Sequence, residues 1–353
     1  MKKTRKIIND PVFGFLSIPD GVLFQILQHP YMQRLNRIRQ LGLSFFVYPG
    51  AMHSRFLHSL GAMHLMREAI GSLREKGVEI TDNEATASMA AILLHDVGHG
   101  PFSHVMEHTL VEGITHEEIS LMMMEKMRDE LAEQDRELLN LAIAIFKDEY
   151  PKHFLHQLIS SQLDVDRLDY LCRDSFFCGV TEGSVASARI LKMMNVTADG
   201  HLVVEAKGIY SVEKFLVARR LMYWQVYLHH TSVAAEQLLI KILERAKVLA
   251  KQGVELFCSP ALHYFLYNRI TSEVFVQNPN ALNQYAMLDD ADLLSAIKVW
   301  IGCEDKVLSE LCQCFTNRRL FKGKLLDQPL SQEQVEVLSE QYAERFGIDK
   351  ADA

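Results

Sequence analysis

Residues 91–104 read AILLHDVGHGPFSH, and this stretch decides how the rest of the chain is taken. An apolar run leads into His95 and Asp96, and His99 and His104 follow within nine residues of His95. Gly98, Gly100 and Pro101 lie between them, so a helix that delivers His95 and Asp96 ends there. The helix itself, over 83–94, is small and apolar on most of its circumference (Ala85, Ala87, Ala90, Ala91, Ile92, Leu93, Leu94), which predicts a position in the middle of a helical bundle. Polar groups brought in from the inside of a protein must be paired or ligated. Imidazoles and a carboxylate at this density read as the floor of a metal-dependent hydrolase site.

Working outward toward the N-terminus, residues 43–70 carry a turn at Pro49-Gly50 and then a helix that places Arg55 and His58 on one face. His53 and His64 read as structural histidines. Residues 7–19 read as an extended segment with a turn, 21–28 as a helix, and Pro30 starts another over PYMQRLNRIRQL, whose Arg34, Arg37 and Arg39 fit a solvated face. Toward the C-terminus, Thr115 followed by Glu118 is a capping box that sets His116 in the first turn of a helix, with Met122 to Met124 as core filler. A charged helix follows over 129–147. Residues 163–174, LDVDRLDYLCRD, hold four aspartates alternating with apolar residues, and Asp166, Asp169 or Tyr170, and Arg173 are neighbours on a helix. Residues 201–212 give the clearest strand signal, with a hairpin at Asp199-Gly200. From Val212 to Gln252 the pattern is helical, and Arg219, Tyr223 and Tyr227 fall at successive fours. Shorter helices follow Pro260, then a basic cluster at 317–322 and an acidic helix. The expected organisation is a core over 1–250 and a C-terminal helical extension over 251–353 packed on it.

Composition excludes several classes. The 353 residues are 48% hydrophobic with a formal net charge of -8, so the chain is globular and broad attraction to nucleic acid or an anionic membrane is not expected. No run approaches the roughly 18 apolar residues of a membrane span. The six cysteines are scattered without a CxxC pair, which fits reduced thiols, and no secretory signal precedes Asn9-Asp10-Pro11. A cytoplasmic protein is expected.

If His58, His95, Asp96 and Asp166 meet, three helices present two imidazoles and two carboxylates around one divalent cation. That donor set suits iron, manganese, zinc or nickel without choosing among them. A bound metal lowers the pKa of its water and polarises a phosphoryl oxygen, and phosphoryl transfer otherwise needs positive charge and a group to protonate the leaving oxygen. Arg55, Arg167 and Arg219 are candidates for the charge, His99, His104 and His116 for acid or phosphate contact, and Glu107 for orienting one of them.

The ordered series INDPVFG, QRLNRIRQLG, YPGAMHSRFLHSLG, LLHDVGHGPFSH, THE and DVDRLDYLCRD resembles the HD-domain phosphohydrolases, and within them the deoxynucleoside triphosphate triphosphohydrolases of the branch that also carries a SAM domain. The resemblance runs from Ile7 to Lys322, without that SAM domain. It implies an all-α dominated fold: an HD helical core, a small β-hairpin near 201–212 and a C-terminal helical extension. It also implies His58, His95, Asp96 and Asp166 as metal ligands, with magnesium added to the candidate ions and a second magnesium on the triphosphate. His99, His104, Glu107 and His116 would be catalytic, His116 as the acid toward the leaving 5′ oxygen. Arg55, Arg167 and Arg219 would bind the triphosphate, Tyr170 and Asp174 the sugar, and Gln40, Leu41 and Tyr227 the base and sugar pocket. The implied reaction is water attack at the α-phosphorus of a deoxynucleoside triphosphate, giving deoxynucleoside and inorganic triphosphate, in a homo-dimer or homo-tetramer.

Glu107 and Arg167 replace Asp and Lys of the family pattern. Lys6 and Asn9 match a nucleotide-activator site, and Arg189, Lys207, Arg318 and Lys322 are candidates for its phosphates, but Gln28 and Asn36 replace the acidic and basic residues that read guanine. A broader HD phosphatase and a non-catalytic nucleotide sensor are the alternatives.

Overall fold

The computed structural model describes residues 6–323, 326 and 328–346, apart from the side chains of 104, 107, 108 and 346. The chain opens with an antiparallel hairpin, β1 (Lys6–Asp10) and β2 (Gly14–Ile18). Asp10 Oδ1 closes the turn by accepting from the backbone N–H groups of Val12 and Phe13. Helices α1 (Val22–Gln28) and α2 (Pro30–Arg34) follow. The helix expected over 30–41 stops at Arg34 and passes into a 3-10 turn, because Arg39 leaves to bridge Ser54 and Gln40 N–H donates to the His53 carbonyl. The solvated arginine face holds for Arg37, which is exposed, and is corrected for Arg34 and Arg39. Arg34 is 1% exposed, and Arg37 and Arg39 are ion-paired to Asp289 and Asp290.

The core is built on α3 (Arg55–Glu75) and α4 (Asp82–Leu94), with α7 (Glu133–Phe146) across α4 and α9 (Val165–Cys178) along α3. Between them run α5 (Ser103–Thr109), β3 (Val111–Glu112), α6 (His116–Glu130) and α8 (His153–Gln157). Every residue of 87–94 is buried, as the apolar circumference of α4 requires. Its N-terminus carries the capping box of Thr81 and Glu84. Glu84 also accepts from Tyr150 Oη at 2.6 Å and Lys152 Nζ at 2.9 Å. Burial works against its ionisation, but Tyr150, the Thr81 backbone N–H and Lys152 outweigh it and bring the carboxyl from 4.5 down to about 2. A depressed carboxylate stabilises the fold above its unfolded value and loses that contribution as pH falls through the folded one. Glu84→Gln is therefore expected to lower stability by about 1–2 kcal/mol at neutral pH, with the deficit closing toward pH 2. Urea unfolding across that range measures it, and a pH-independent deficit would contradict the assignment.

After α9 come α10 (Ser187–Met193) and the hairpin β4 (Met194–Val196) with β5 (Leu202–Val204). The hairpin sits where expected, but its second strand is three residues long. Gly208 packs against Val204 and Met193, leaving no room for a Cβ, and the helix α11 (Ile209–Met222) starts there. A π-turn over Tyr223–Tyr227 leads to α12 (His230–Lys251). The C-terminal part comprises α13 (Pro260–Tyr267), β6 (Ile270–Thr271), α14 (Ser272–Gln277), α15 (Pro279–Met287), α16 (Asp290–Trp300), α17 (Lys306–Thr316) and α18 (Gln332–Phe346). β6 pairs in parallel with β3, and α17 packs on α12. Among the described residues no helix is long and apolar enough to cross a membrane.

Candidate metal centre and substrate site

Three helices bring three donors to one point and set a fourth, Asp96, beside them. His58 comes from the first turn of α3, His95 and Asp96 from the C-terminal end of α4, and Asp166 from the first turn of α9. Asp166 Oδ1 lies 3.1 Å from His58 Nε2 and 3.4 Å from His95 Nε2, and the two Nε2 atoms are 3.4 Å apart. Asp96 Oδ1 is 3.4 Å from His95 Nε2. His58, His95 and Asp166 are grouped tightly enough to hold one metal ion.

The outer side of each ring is already engaged. His58 Nδ1 faces Asp169 Oδ2 at 2.7 Å, and His95 Nδ1 faces the Ile92 carbonyl at 2.7 Å. Both partners are pure acceptors, so the Nδ1 positions carry the hydrogens and the Nε2 lone pairs point at each other and at two carboxylates. Such a set needs positive charge at its centre. Burial opposes protonation of His58, yet hydrogen bonds to Asp166 and Asp169 outweigh it and push the ring up to about 10 when no cation is there to supply that charge. Burial likewise opposes ionisation of Asp96, but His95, His99 and Arg55 hold its carboxyl well below the usual range. Two imidazoles and two carboxylates with these outer partners fit one divalent transition ion.

A buried network holds the first ligand. Asp169 accepts from Arg173 Nε at 2.9 Å and Nη2 at 2.8 Å, and Arg173 Nη1 donates to Asp10 Oδ2 at 2.7 Å. The network crosses α3 at Gly61, where a Cβ would stand 1.9 Å from Asp169 Oδ1 and 2.1 Å from Arg173 Nη2. A second network fixes the loop after Asp96. Arg34 Nη1 donates to the Val97 carbonyl at 2.8 Å and Tyr285 Oη to that of Gly98 at 2.9 Å. Ser120 Oγ accepts from Gly98 N–H and donates to the His95 carbonyl, both at 2.8 Å. A Cβ on Gly98 would lie 2.2 Å from the His116 carbonyl, so the start of α6 is pressed against this loop.

That contact places His116 at the site. Its ring stacks on His99 with centroids 3.8 Å apart. His99 Nε2 lies 3.2 Å from Asp96 Oδ1 and Nδ1 lies 2.6 Å from Ser103 Oγ. Burial, and then Arg55, pull His99 down to about 3, so the ring is neutral at physiological pH. Arg55 Nη1 donates to Asp96 Oδ2 at 2.6 Å. His104 and Glu107 lie on α5, and their side chains are outside the described residues.

Helix α9 also carries a second cluster. Asp174 accepts from Tyr227 Oη at 2.9 Å and faces His53 Nε2 at 2.7 Å, and Tyr170 packs edge-on to Tyr227 at 5.9 Å. Tyr223 in turn touches Tyr227, and Arg219 lies over Tyr223. The π-turn replaces the even spacing of four expected here and brings Tyr227 onto Asp174, a common use of such turns at functional sites. His53, read as structural, belongs to this cluster: it is buried, stacks on Phe177 and has no partner at Nδ1. Gln40 has a buried Oε1 without a partner, and Leu41 packs partly buried beside it.

Arg167 is directed elsewhere. Its guanidinium closes on Asp164, the N-cap of its own helix. The candidate activator residues occupy separate places on one chain: Lys6 over the Phe24 ring, Asn9 in β1 opposite Phe15, Arg189 against the Lys207 carbonyl, and Arg318 on the Phe46 carbonyl. Lys207 is paired with Glu205, and Lys322 is exposed beyond α17.

A helical core that groups His58, His95 and Asp166 tightly enough to hold one metal ion, with Asp96 beside them, is matched by the HD domain model over residues 55–174 and by the HD associated region model over 185–255. The chain belongs to the HD-domain phosphohydrolase family. It is 59% identical to a phosphohydrolase of Bacteroides thetaiotaomicron with a crystal structure, at a TM-score of 0.95 over 99% of this chain and 85% of that one. It is 34% identical over 320 residues to the uncharacterized protein YwfO of Bacillus subtilis, covering 90% of this chain and 71% of YwfO. It is also 27% identical over 318 residues to the deoxynucleoside triphosphate triphosphohydrolase SAMHD1 of Homo sapiens, covering 78% of this chain but 50% of SAMHD1.

Proposed function

We propose that this phosphohydrolase cleaves deoxynucleoside triphosphates to deoxynucleoside and inorganic triphosphate. The observation that carries the reading is the arrangement of α9: Asp166 in its first turn, Tyr170 one turn (about 6 Å) further along, and Asp174 one turn beyond. One rigid helix thus sets the spacing between a metal-bound phosphate and a pocket made by Asp174, Tyr227 and Tyr170. The likeness to SAMHD1 supports the same substrate class.

His58, His95, Asp96 and Asp166 would hold the divalent ion, which when bound polarises a phosphoryl oxygen and lowers the pKa of its water. The chain's own groups do the rest. Arg55, anchored on Asp96, and Arg219 face the phosphates. Neutral His99 keeps Asp96 oriented, and His116 on the His99 ring gives the proton to the 5′ oxygen as the bond to the α-phosphorus breaks. His104 and Glu107 on α5 are assigned to phosphate contact and to orienting the acid. Tyr170, Asp174, Tyr227, Gln40 and Leu41 hold sugar and base, and Tyr170 excludes a 2′ hydroxyl by crowding. Lys6, Asn9, Arg189, Lys207, Arg318 and Lys322 would take a second nucleotide only where two copies of the chain bring their separate positions together.

The engagement of Arg167 by Asp164 favours a second reading, a phosphatase for shorter phosphoesters, because it removes one cation from the triphosphate. Incubation of the pure chain with each deoxynucleoside triphosphate and monophosphate, with manganese or magnesium, decides between them. Inorganic triphosphate and deoxynucleoside are expected; turnover of monophosphates alone would overturn the proposal.

A further inference from the structure

We propose that His53 is a positioning residue for the sugar, holding the Asp174 carboxylate in the orientation that accepts from the single hydroxyl of a deoxyribose. The inference rests on the deoxynucleoside triphosphate reading above. In that substrate the 5′ oxygen carries the phosphates and the 2′ carbon bears no oxygen, so the 3′ hydroxyl is the one left to recognise. Asp174 is 1% exposed and presents two oxygens. Tyr227 Oη donates to Oδ2 at 2.9 Å, and His53 Nε2 lies 2.7 Å from Oδ1. A carboxylate only accepts, so the His53 hydrogen sits on Nε2 and is donated to it. Each oxygen keeps a further lone pair, and the carboxylate, held from both sides, can take one more hydrogen from a bound ligand.

The setting of the ring separates this role from plain packing. His53 Nδ1 is buried and, among the described residues, has no partner. A ring that only stacked on Phe177, with centroids 4.5 Å apart, would be better made by an apolar side chain, because a buried polar atom without a bond costs free energy. What the imidazole adds is its bond to Asp174. The backbone on either side is fixed by the same site. Gln40 N–H donates to the His53 carbonyl at 3.0 Å and Arg55 N–H to that of Ile38 at 2.9 Å, about the bridge of Arg39 with Ser54. His53 is thereby tied to Arg55, the residue assigned to the phosphates, two positions on. From the other side Gly50 is pressed against the end of α9, where a Cβ would lie 2.4 Å from the Phe177 carbonyl. The ring therefore has little freedom to leave Asp174. Without it Asp174 would keep Tyr227 alone, and a carboxylate pinned at one oxygen turns easily about its Cβ–Cγ bond.

The test compares a deoxynucleoside triphosphate with its 2′,3′-dideoxy analogue on the full chain supplied with manganese. The wild-type chain should favour the deoxy substrate. His53→Phe keeps a ring on Phe177 and removes the donor. It should lower kcat/KM for the deoxy substrate roughly 10–100-fold, the effect of losing a hydrogen bond to a charged group. For the dideoxy analogue, which has no hydroxyl for Asp174 to hold, kcat/KM should stay within about threefold of wild type. His53→Gln returns an amide N–H close to the place of Nε2 and should recover most of the loss. Metal content of both variants should equal that of wild type. Damage to the fold or to the metal centre would lower both substrates alike. Equal losses on the two substrates, no loss on either, a wild-type chain indifferent to the 3′ hydroxyl, or a glutamine variant no better than phenylalanine would each overturn the assignment of His53. A wild-type chain that turns over neither compound would instead overturn the substrate reading, and this assignment with it.

Discussion

Asp166→Asn is expected to abolish bound metal and to lower phosphohydrolase activity on the order of 10³-fold or more, with the fold intact. The substitution keeps the shape of the side chain and removes the charge that faces both Nε2 atoms. His58 Nε2 at 3.1 Å and His95 Nε2 at 3.4 Å would then meet an amide, which offers a weaker ligand or turns a donor toward the site. Asp96 alone would remain to balance a divalent ion, and it is already shared with Arg55 and His99. Metal per chain by inductively coupled plasma mass spectrometry, beside a thermal melt, measures this. A variant with full metal and full activity would show that the four donors are not the centre.

Asp169 should give the second largest effect, split between metal affinity and stability. It is fully buried and holds both the His58 ring and the Arg173 guanidinium. Asp169→Ala leaves Arg173 with Asp10 alone and His58 without an orienting acceptor. Breaking a buried ion pair from one side destabilises by about 3–5 kcal/mol. Loss of an outer carboxylate from a ligating histidine lowers metal affinity about 10–100-fold. Asp169→Asn separates the two effects, because it keeps an acceptor for one neighbour: its melting temperature should fall less than that of the alanine variant, while metal affinity still drops. Wild-type metal affinity in Asp169→Asn would contradict the role given to the outer shell.

The sequence made the helical core and the meeting of His58, His95 and Asp166 legible for identifiable reasons. Helix α4 is apolar all round, and the glycines behind it can only follow a helix end. The capping box at Thr115 and Glu118 locates His116 to the residue. What stayed hidden was set by distant contacts. Asp169 and Tyr170 were equal candidates for an inward role, and only the packing of α9 on α3 at Gly61 turns Asp169 toward His58 and leaves Tyr170 for Tyr227. Arg34 looks like a solvated residue beside Arg37, yet its partners are the Val97 carbonyl and the Tyr285 ring, more than sixty residues and about two hundred and fifty residues away. His53 reads as a lone histidine, and its bond to Asp174 spans 121 positions. The strand expected over 201–212 has the composition of one, but Ile209, Tyr210 and Val212 serve a helix, because tertiary context overrides local propensity.

The most direct test of the proposed chemistry is hydrolysis of a deoxynucleoside triphosphate in water enriched in oxygen-18, with both products weighed by mass spectrometry. Attack at the α-phosphorus forms the new P–O bond on the triphosphate and breaks the bond to the 5′ oxygen. One label in inorganic triphosphate and none in the deoxynucleoside is the predicted result. Label in the deoxynucleoside, or release of orthophosphate or pyrophosphate instead of triphosphate, would contradict it.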